Sequence, residues 1–194
     1  MKHLKMLGLA VALAAVALTT CVGVASADKF TAPTGTTYTS TIKTSSEGKF
    51  SLHGPFVSIE CNKSSFEAKA EKHGLTLDAG GPISSLTFSE CTFPLKVLKP
   101  GSFDVNEEGG GKGDFQLFGT ELTAETSIAN CLWTAASGGS TVGSFTGTSV
   151  KNGHALIDFS TGEIPRTGHS VFCGSVGYLV GTYKVTTPTE LTVD

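Results

Sequence analysis

The chain is poor in charge. Only 16% of its 194 residues are Asp, Glu, Lys or Arg, too few for a coiled coil or a charge-rich disordered tail. Arginine is nearly absent: Arg166 stands alone among 14 basic residues. The formal net charge is −3. A chain without a basic footprint or guanidinium forks is not built to grip nucleic acid, so no nucleic-acid partner is expected. No C-x-x-C pair occurs, which removes zinc ribbons and thioredoxin-type redox sites. A helical stripe of 10 or more residues is also missing after the N-terminal segment.

What the sequence does have begins with an address. Lys2 and Lys5 precede an apolar run from Met6 to Leu18, and small residues close the segment at Ala25-Ser26-Ala27. A positive start, an apolar stretch and an A-x-A exit form a secretory signal, a short helix removed on export. Cleavage is expected between Ala27 and Asp28, giving a signal peptide over 1–27 and a single secreted domain over 28–194. Two small halves, 28–98 and 102–194, are the alternative division around Lys99-Pro100-Gly101. Loss of Lys2 and Lys5 takes the formal charge to −5. After cleavage no stable membrane insertion is expected. Leu18-Thr19-Thr20-Cys21 is a rival signal, a poor lipobox that would leave the chain lipid-anchored through Cys21.

Cleavage also removes Cys21 and leaves Cys61, Cys91, Cys131 and Cys173. An even number of cysteines in an exported chain reads as two disulfides. Three connectivities are open. Cys61–Cys91 with Cys131–Cys173 is favoured because each half then carries its own staple.

Period-two patterning runs through the rest. Val57, Ile59 and Cys61 alternate with Phe56, Ser58 and Glu60. Phe66, Ala68 and Ala70 alternate with Glu67, Lys69 and Glu71, and Phe115 and Leu117 with Asp114 and Gln116. Ala155, Ile157 and Phe159 repeat the pattern, as do Tyr183 and Val185. These are half-buried strands. Clusters such as Gly109-Gly110-Gly111 and Ser137-Gly138-Gly139 punctuate them. The fold class expected is all-β, an antiparallel β-sandwich or open barrel stapled by two disulfides. Exposed edge strands would leave self-association open.

Several stretches touch on chemistry. Asp104, Asn106 and Glu108 before Gly109 resemble the start of a calcium loop, the one weak metal candidate. Glu108 is a carbon too long, and Phe115 stands where the closing Glu belongs, so a Gly-rich hairpin is the plainer reading. Gly109 to Gly113 lacks the Ser or Thr and the helix of a phosphate loop. His53, His73, His154 and His169 could serve a nucleophile, and Ser170 adjoins His169 with Asp158 near in sequence, yet no G-x-S-x-G is present. Glu60, Glu67, Glu90 and Glu125 are the carboxylates that a glycosidase could pair. All fall on the polar phase of strands. Trp133, two residues from Cys131, would cover a disulfide. No catalytic residue and no cofactor is assigned.

The chain ends Cys173-Gly174, Leu179, Gly181, Tyr183, Val185, Pro188, Leu191. With the signal segment and four cysteines, this resembles a family of secreted actinobacterial β proteins that share a C-G-x4-L-x-G-x-Y-x-V-x-x-P ending. The resemblance implies secretion and a final structural strand, and brings no activity. The function expected is a non-enzymatic binding, adhesive or envelope-associated module, secreted or at the cell surface. A carrier of a small apolar ligand is the first alternative, and a hydrolase with an unrecognised site the second.

The intact mass of the protein from its host should correspond to a chain starting at Asp28, with no thiol reactive to alkylation before reduction. A lipidated chain starting at Cys21, or free thiols among the other four cysteines, would contradict the export reading.

Overall fold

The structure is a computed structural model, and it describes residues 29–32, 35–72, 79–148, 153–168 and 170–194. The signal segment with Cys21, Ala27 and Asp28, and His73 and His169, lie outside the described residues.

Among the described residues there are fifteen strands, and the one helical element is a 3-10 turn at Val171–Cys173. In chain order they are β1 (Phe30–Thr31), β2 (Thr41–Ser46), β3 (Phe50–His53), β4 (Ser58–Lys69) and β5 (Glu71–Lys72). There follow β6 (Ala79–Cys91), β7 (Leu95–Lys99), β8 (Ser102–Gly109), β9 (Lys112–Phe118) and β10 (Glu121–Glu125). The last five are β11 (Asn130–Thr134), β12 (Ser140–Thr146), β13 (Leu156–Gly168), β14 (Val176–Thr187) and β15 (Thr192–Val193).

The protein is all-β, and eight strand positions close into a barrel. The ring runs β4, β6, β8, β9, β12, β13, β14, with β2 and β3 together filling the place between β14 and β4. Every pairing is antiparallel. Of the two architectures expected, the sheet therefore takes the barrel, and closes it. Strands from both halves of the chain share this wall, β6 with β8 and β14 with β2 and β3.

β2 and β3 are one strand with an interruption. Both run antiparallel to the same two neighbours, and Glu47–Lys49 between them bulges out with Gly48 at φ 84°. β4 answers at the same level. Ile59 and Cys61 point inward, Asn62 and Lys63 are both exposed, and Ser64, Phe66 and Ala68 then resume the inward phase. A bulge bends and twists a strand, and barrels need such bends to close. Gly181 serves the same seam. At φ 151°, a Cβ there would come within 2.7 Å of the Phe50 ring.

The interior is aromatic. Phe103 and Phe115 stack with centroids 5.4 Å apart, and Phe66, Phe159 and Tyr183 meet edge to face around them. Eight strands enclose a space that side chains can fill. One end is capped by the short β1–β15 pair, which seats Phe30 on Phe103 and Phe145. At the other end β11, β10 and β7 extend from the far half of β13 as a side sheet. Both favoured disulfides form: Cys61–Cys91 ties β4 to β6, and Cys131–Cys173 ties β11 to the 3-10 turn before β14.

The outer wall carries Lys–Glu pairs across neighbouring strands, including Lys43–Glu67, Lys49–Glu60 and Lys96–Glu125. All are solvated, so each adds little. Closure leaves few edges for pairing between copies. β7 remains open on one side and carries Lys96 and Lys99, charges that discourage edge-to-edge association.

Phe115 is fully buried against Phe66, Phe103 and Phe159. Phe115→Ala should cost about 3–5 kcal/mol in urea denaturation, and Lys43→Ala no more than about 0.5 kcal/mol. Equal effects would contradict a packed barrel core.

Candidate docking surface

The barrel interior leaves little room. Its cavity, lined by Phe50, Phe66, Phe88, Phe115, Phe159 and Tyr183 among others, amounts to about 20 Å³. That is space for about one water, against about 150 Å³ for a cavity that takes benzene. Its side lies where β6 leaves β8 after Pro82, between Ile83, Leu86 and Phe88 on β6 and Thr120, just before β10, with Leu122 on β10. A carried ligand would have to displace Leu86 and Phe88.

The barrel also holds a buried hydroxyl pair. The Ser64 hydroxyl donates to the Thr87 carbonyl at 2.9 Å and accepts from the Tyr183 hydroxyl. Burial pushes the Tyr183 phenol above its ordinary value, and the hydrogen bond it shares with Ser64 opposes this only in part. Trp133 is fully buried on the inward face it shares with Cys131 and backs onto Gly177, where a Cβ would fall 2.8 Å from its indole nitrogen.

On the outer wall one row crosses four strands: Glu163, Tyr178, His53 and Ser58 are register partners in turn. His53 Nδ1 lies 2.9 Å from Ser58 Oγ. The Glu163 carboxylate beside Tyr178 raises that phenol, with some help from burial. Lys49 hydrogen-bonds Glu60 and holds its carboxyl below the usual range. A Ser–His contact is the geometry of an activated nucleophile. Here it sits on a convex wall, and neither residue lines the cavity. Sequence reasoning did not pair these two, because register and not spacing brings them together.

The residues singled out in the sequence are scattered. Asp104, Asn106 and Glu108 lie along β8, in an extended ladder with β9. Alternate residues on a strand sit about 7 Å apart and cannot wrap a cation. Among the described residues no group of three His, Cys, Asp or Glu could hold a metal ion. Gly109, Gly110 and Gly111 all take positive φ and form the β8–β9 turn. His154 Nδ1 meets the Val185 carbonyl at 2.8 Å, and Asp158 accepts from Thr182. Glu60, Glu67, Glu90 and Glu125 each pair with a lysine: Lys49, Lys43, Lys63 and Lys96. None faces another across a cleft.

The end opposite the β1–β15 cap is different. Three turns there display large apolar side chains: Phe56 (68% exposed), Ile128 (61%) and Phe172 (51%). The turns meet at Cys173. A Cβ on Gly54 would lie 2.9 Å from the Cys173 carbonyl, and Pro55 packs on Gly174. Cys173 is bonded to Cys131 and lies 3.6 Å from the Asn130 carbonyl, two residues beyond Ile128.

Each turn is held by its own bonds. The Gly54 amide donates to the Val57 carbonyl at 2.6 Å. Thr126 exchanges backbone and side-chain bonds with Ala129. The Cys173 amide donates to the Ser170 carbonyl, which also accepts from the Arg166 guanidinium. The exposed residues are thus presented by fixed turns. Phe56 was visible in the sequence as an aromatic on the polar phase of Ser58 and Glu60. Ile128 and Phe172 lie in stretches without a period and left no such sign.

Comparison with protein-family models, with curated proteins and with solved structures finds no match. Among the described residues no helix is long and apolar enough to cross a membrane. The disulfides are consistent with an extracellular location.

Ser64→Ala strands the buried Tyr183 hydroxyl and should cost about 1–3 kcal/mol, with Tyr183→Phe costing less because Ser64 keeps Thr87. A phenol raised by folding stays protonated in the native state while the unfolded chain ionises. Its contribution is whole below the ordinary phenol range and lost as pH climbs through and above it. Tyr183→Phe should therefore flatten the alkaline loss of stability seen by denaturation at rising pH. An unchanged slope would mean that Tyr183 ionises freely in the folded protein.

Proposed function

We propose that the chain is an exported, non-enzymatic binding module that attaches at a cell or envelope surface through the turn end of its barrel. The observation that carries this reading is the group of Phe56, Ile128 and Phe172, three large apolar side chains exposed on turns joined through one disulfide-bonded cysteine. Exposed apolar groups carried on turns that meet and are held in place can form an interaction site. A packed barrel is a rigid base for such a site.

The export part rests on the Lys2 to Ala27 leader, on the two disulfides, and on the ending that resembles secreted actinobacterial proteins. The hydrolase alternative has the His53–Ser58 contact in its favour, but neither residue lines the barrel cavity. The carrier alternative would need the aromatic interior to open.

The test is retention. The wild-type chain should stay with the envelope fraction of its host. A Phe56→Ser, Ile128→Ser, Phe172→Ser triple variant should be at least about tenfold more readily washed off, at an unchanged melting temperature. Equal retention of the two would overturn the reading.

A further inference from the structure

We infer that the surface this end engages is the interface of a lipid bilayer, and that it does so without help from lipid charge. The inference rests on the docking reading above and names its partner. Three observations carry it.

The first is charge. None of the stretches 54–58, 126–130 and 170–175 contains Asp, Glu, Lys or Arg, although Lys–Glu pairs cover the wall above. The Arg166 guanidinium that reaches the 170–175 turn is half-buried and turned onto the Ser170 carbonyl, so a partner recognised by charge would find little to pair with on the tips. An uncharged, apolar medium asks for nothing else.

The second is the order of polarity along the barrel axis. Phe56, Ile128 and Phe172 stand on the turns. Behind them on the wall comes the row of Glu163, Tyr178, His53 and Ser58, with the Tyr178 phenol held by Glu163. Behind that row lie Val180, Ser51 and Glu60, the last paired with Lys49. Apolar tips come first, then an amphipathic tyrosine beside a carboxylate and hydrogen-bonding groups, then a half-exposed valine, a serine and an ion pair; in outline this follows the order of acyl chain, headgroup and water. A protein-docking patch has a different plan, an apolar centre ringed by a polar rim in one plane.

The third is area. The three tips expose roughly 300–400 Å² together, taking a large aromatic at about 150–250 Å². A stable pairing of two copies needs about 800 Å² on each side. Insertion into an interface needs no matching partner surface, so a small set of projecting side chains suffices.

The experiment uses the full protein from its host with vesicles of phosphatidylcholine alone. Flotation should show binding that the triple serine variant weakens at least about tenfold. Raising salt from about 0.05 to about 0.5 M should change binding by less than about twofold, since no charge is engaged. A Phe56→Trp chain should blue-shift on adding vesicles and be quenched by brominated lipid, while the buried Trp133 of the wild type is not. Binding that the triple variant retains would come from an uncleaved Met6–Leu18 segment and overturn the inference. So would the absence of vesicle binding alongside turn-dependent retention on envelope material, which would leave the docking reading standing with a protein or glycan as partner. Loss of turn-dependence on both surfaces would overturn both.

Discussion

The contact on which the rest depends is the closure of the barrel, where β14 meets the interrupted β2–β3 strand and that strand meets β4. It joins residues as distant as Lys43 and Thr187. Until it forms, the chain is an open sheet with a greasy face and two bare edges. Once it forms, Phe50, Phe66, Phe115, Phe159 and Tyr183 are walled on every side. The entropy of so long a loop opposes closure. Apolar burial by that cluster offsets it, and Phe50 on β3, Phe66 on β4 and Tyr183 on β14 bring it to the seam itself.

Closure also decides which side chains face inward and which are displayed. The interior, filled by aromatic rings, keeps a cavity of about 20 Å³. Its outer wall is a lattice of solvated Lys–Glu pairs. The two ends of the barrel differ. One is shut by β1 and β15, with the Lys29 and Asp194 backbones bonded to each other in both directions. The other is gathered by the Cys131–Cys173 bridge and turns its apolar side chains outward. The same disulfide that staples the side sheet to the barrel also fixes two of the three turns.

Strand character was legible because it is local. Alternation at Phe66-Ala68-Ala70 or Ala155-Ile157-Phe159 follows from the pleat and needs no partner to be read. Bulges were not legible. Asn62 and Lys63 are two polar residues in succession, an ambiguous sign until β2 and β3 show the matching interruption. The His53–Ser58 contact, the Ser64–Tyr183 pair and the meeting of three turns at Cys173 all join residues through register or a disulfide, and no spacing in the chain encodes them. Asp104, Asn106 and Glu108 show the converse. Their spacing suggested a loop, and the ladder with β9 made a strand of them.

By itself, then, the sequence determined the all-β character, the punctuation between strands and the presence of four cysteines to pair, because pleat, turn chemistry and composition are properties of short segments. Only the tertiary structure decided that the sheet closes rather than folding into two layers, and that Phe56, Ile128 and Phe172 come to one end. Those outcomes depend on pairings between residues distant in sequence, Lys43 with Thr187 at the closure and Cys131 with Cys173 at the turn end. They are chosen by how well the aromatic core fills the space that closure creates, a quantity no local pattern contains.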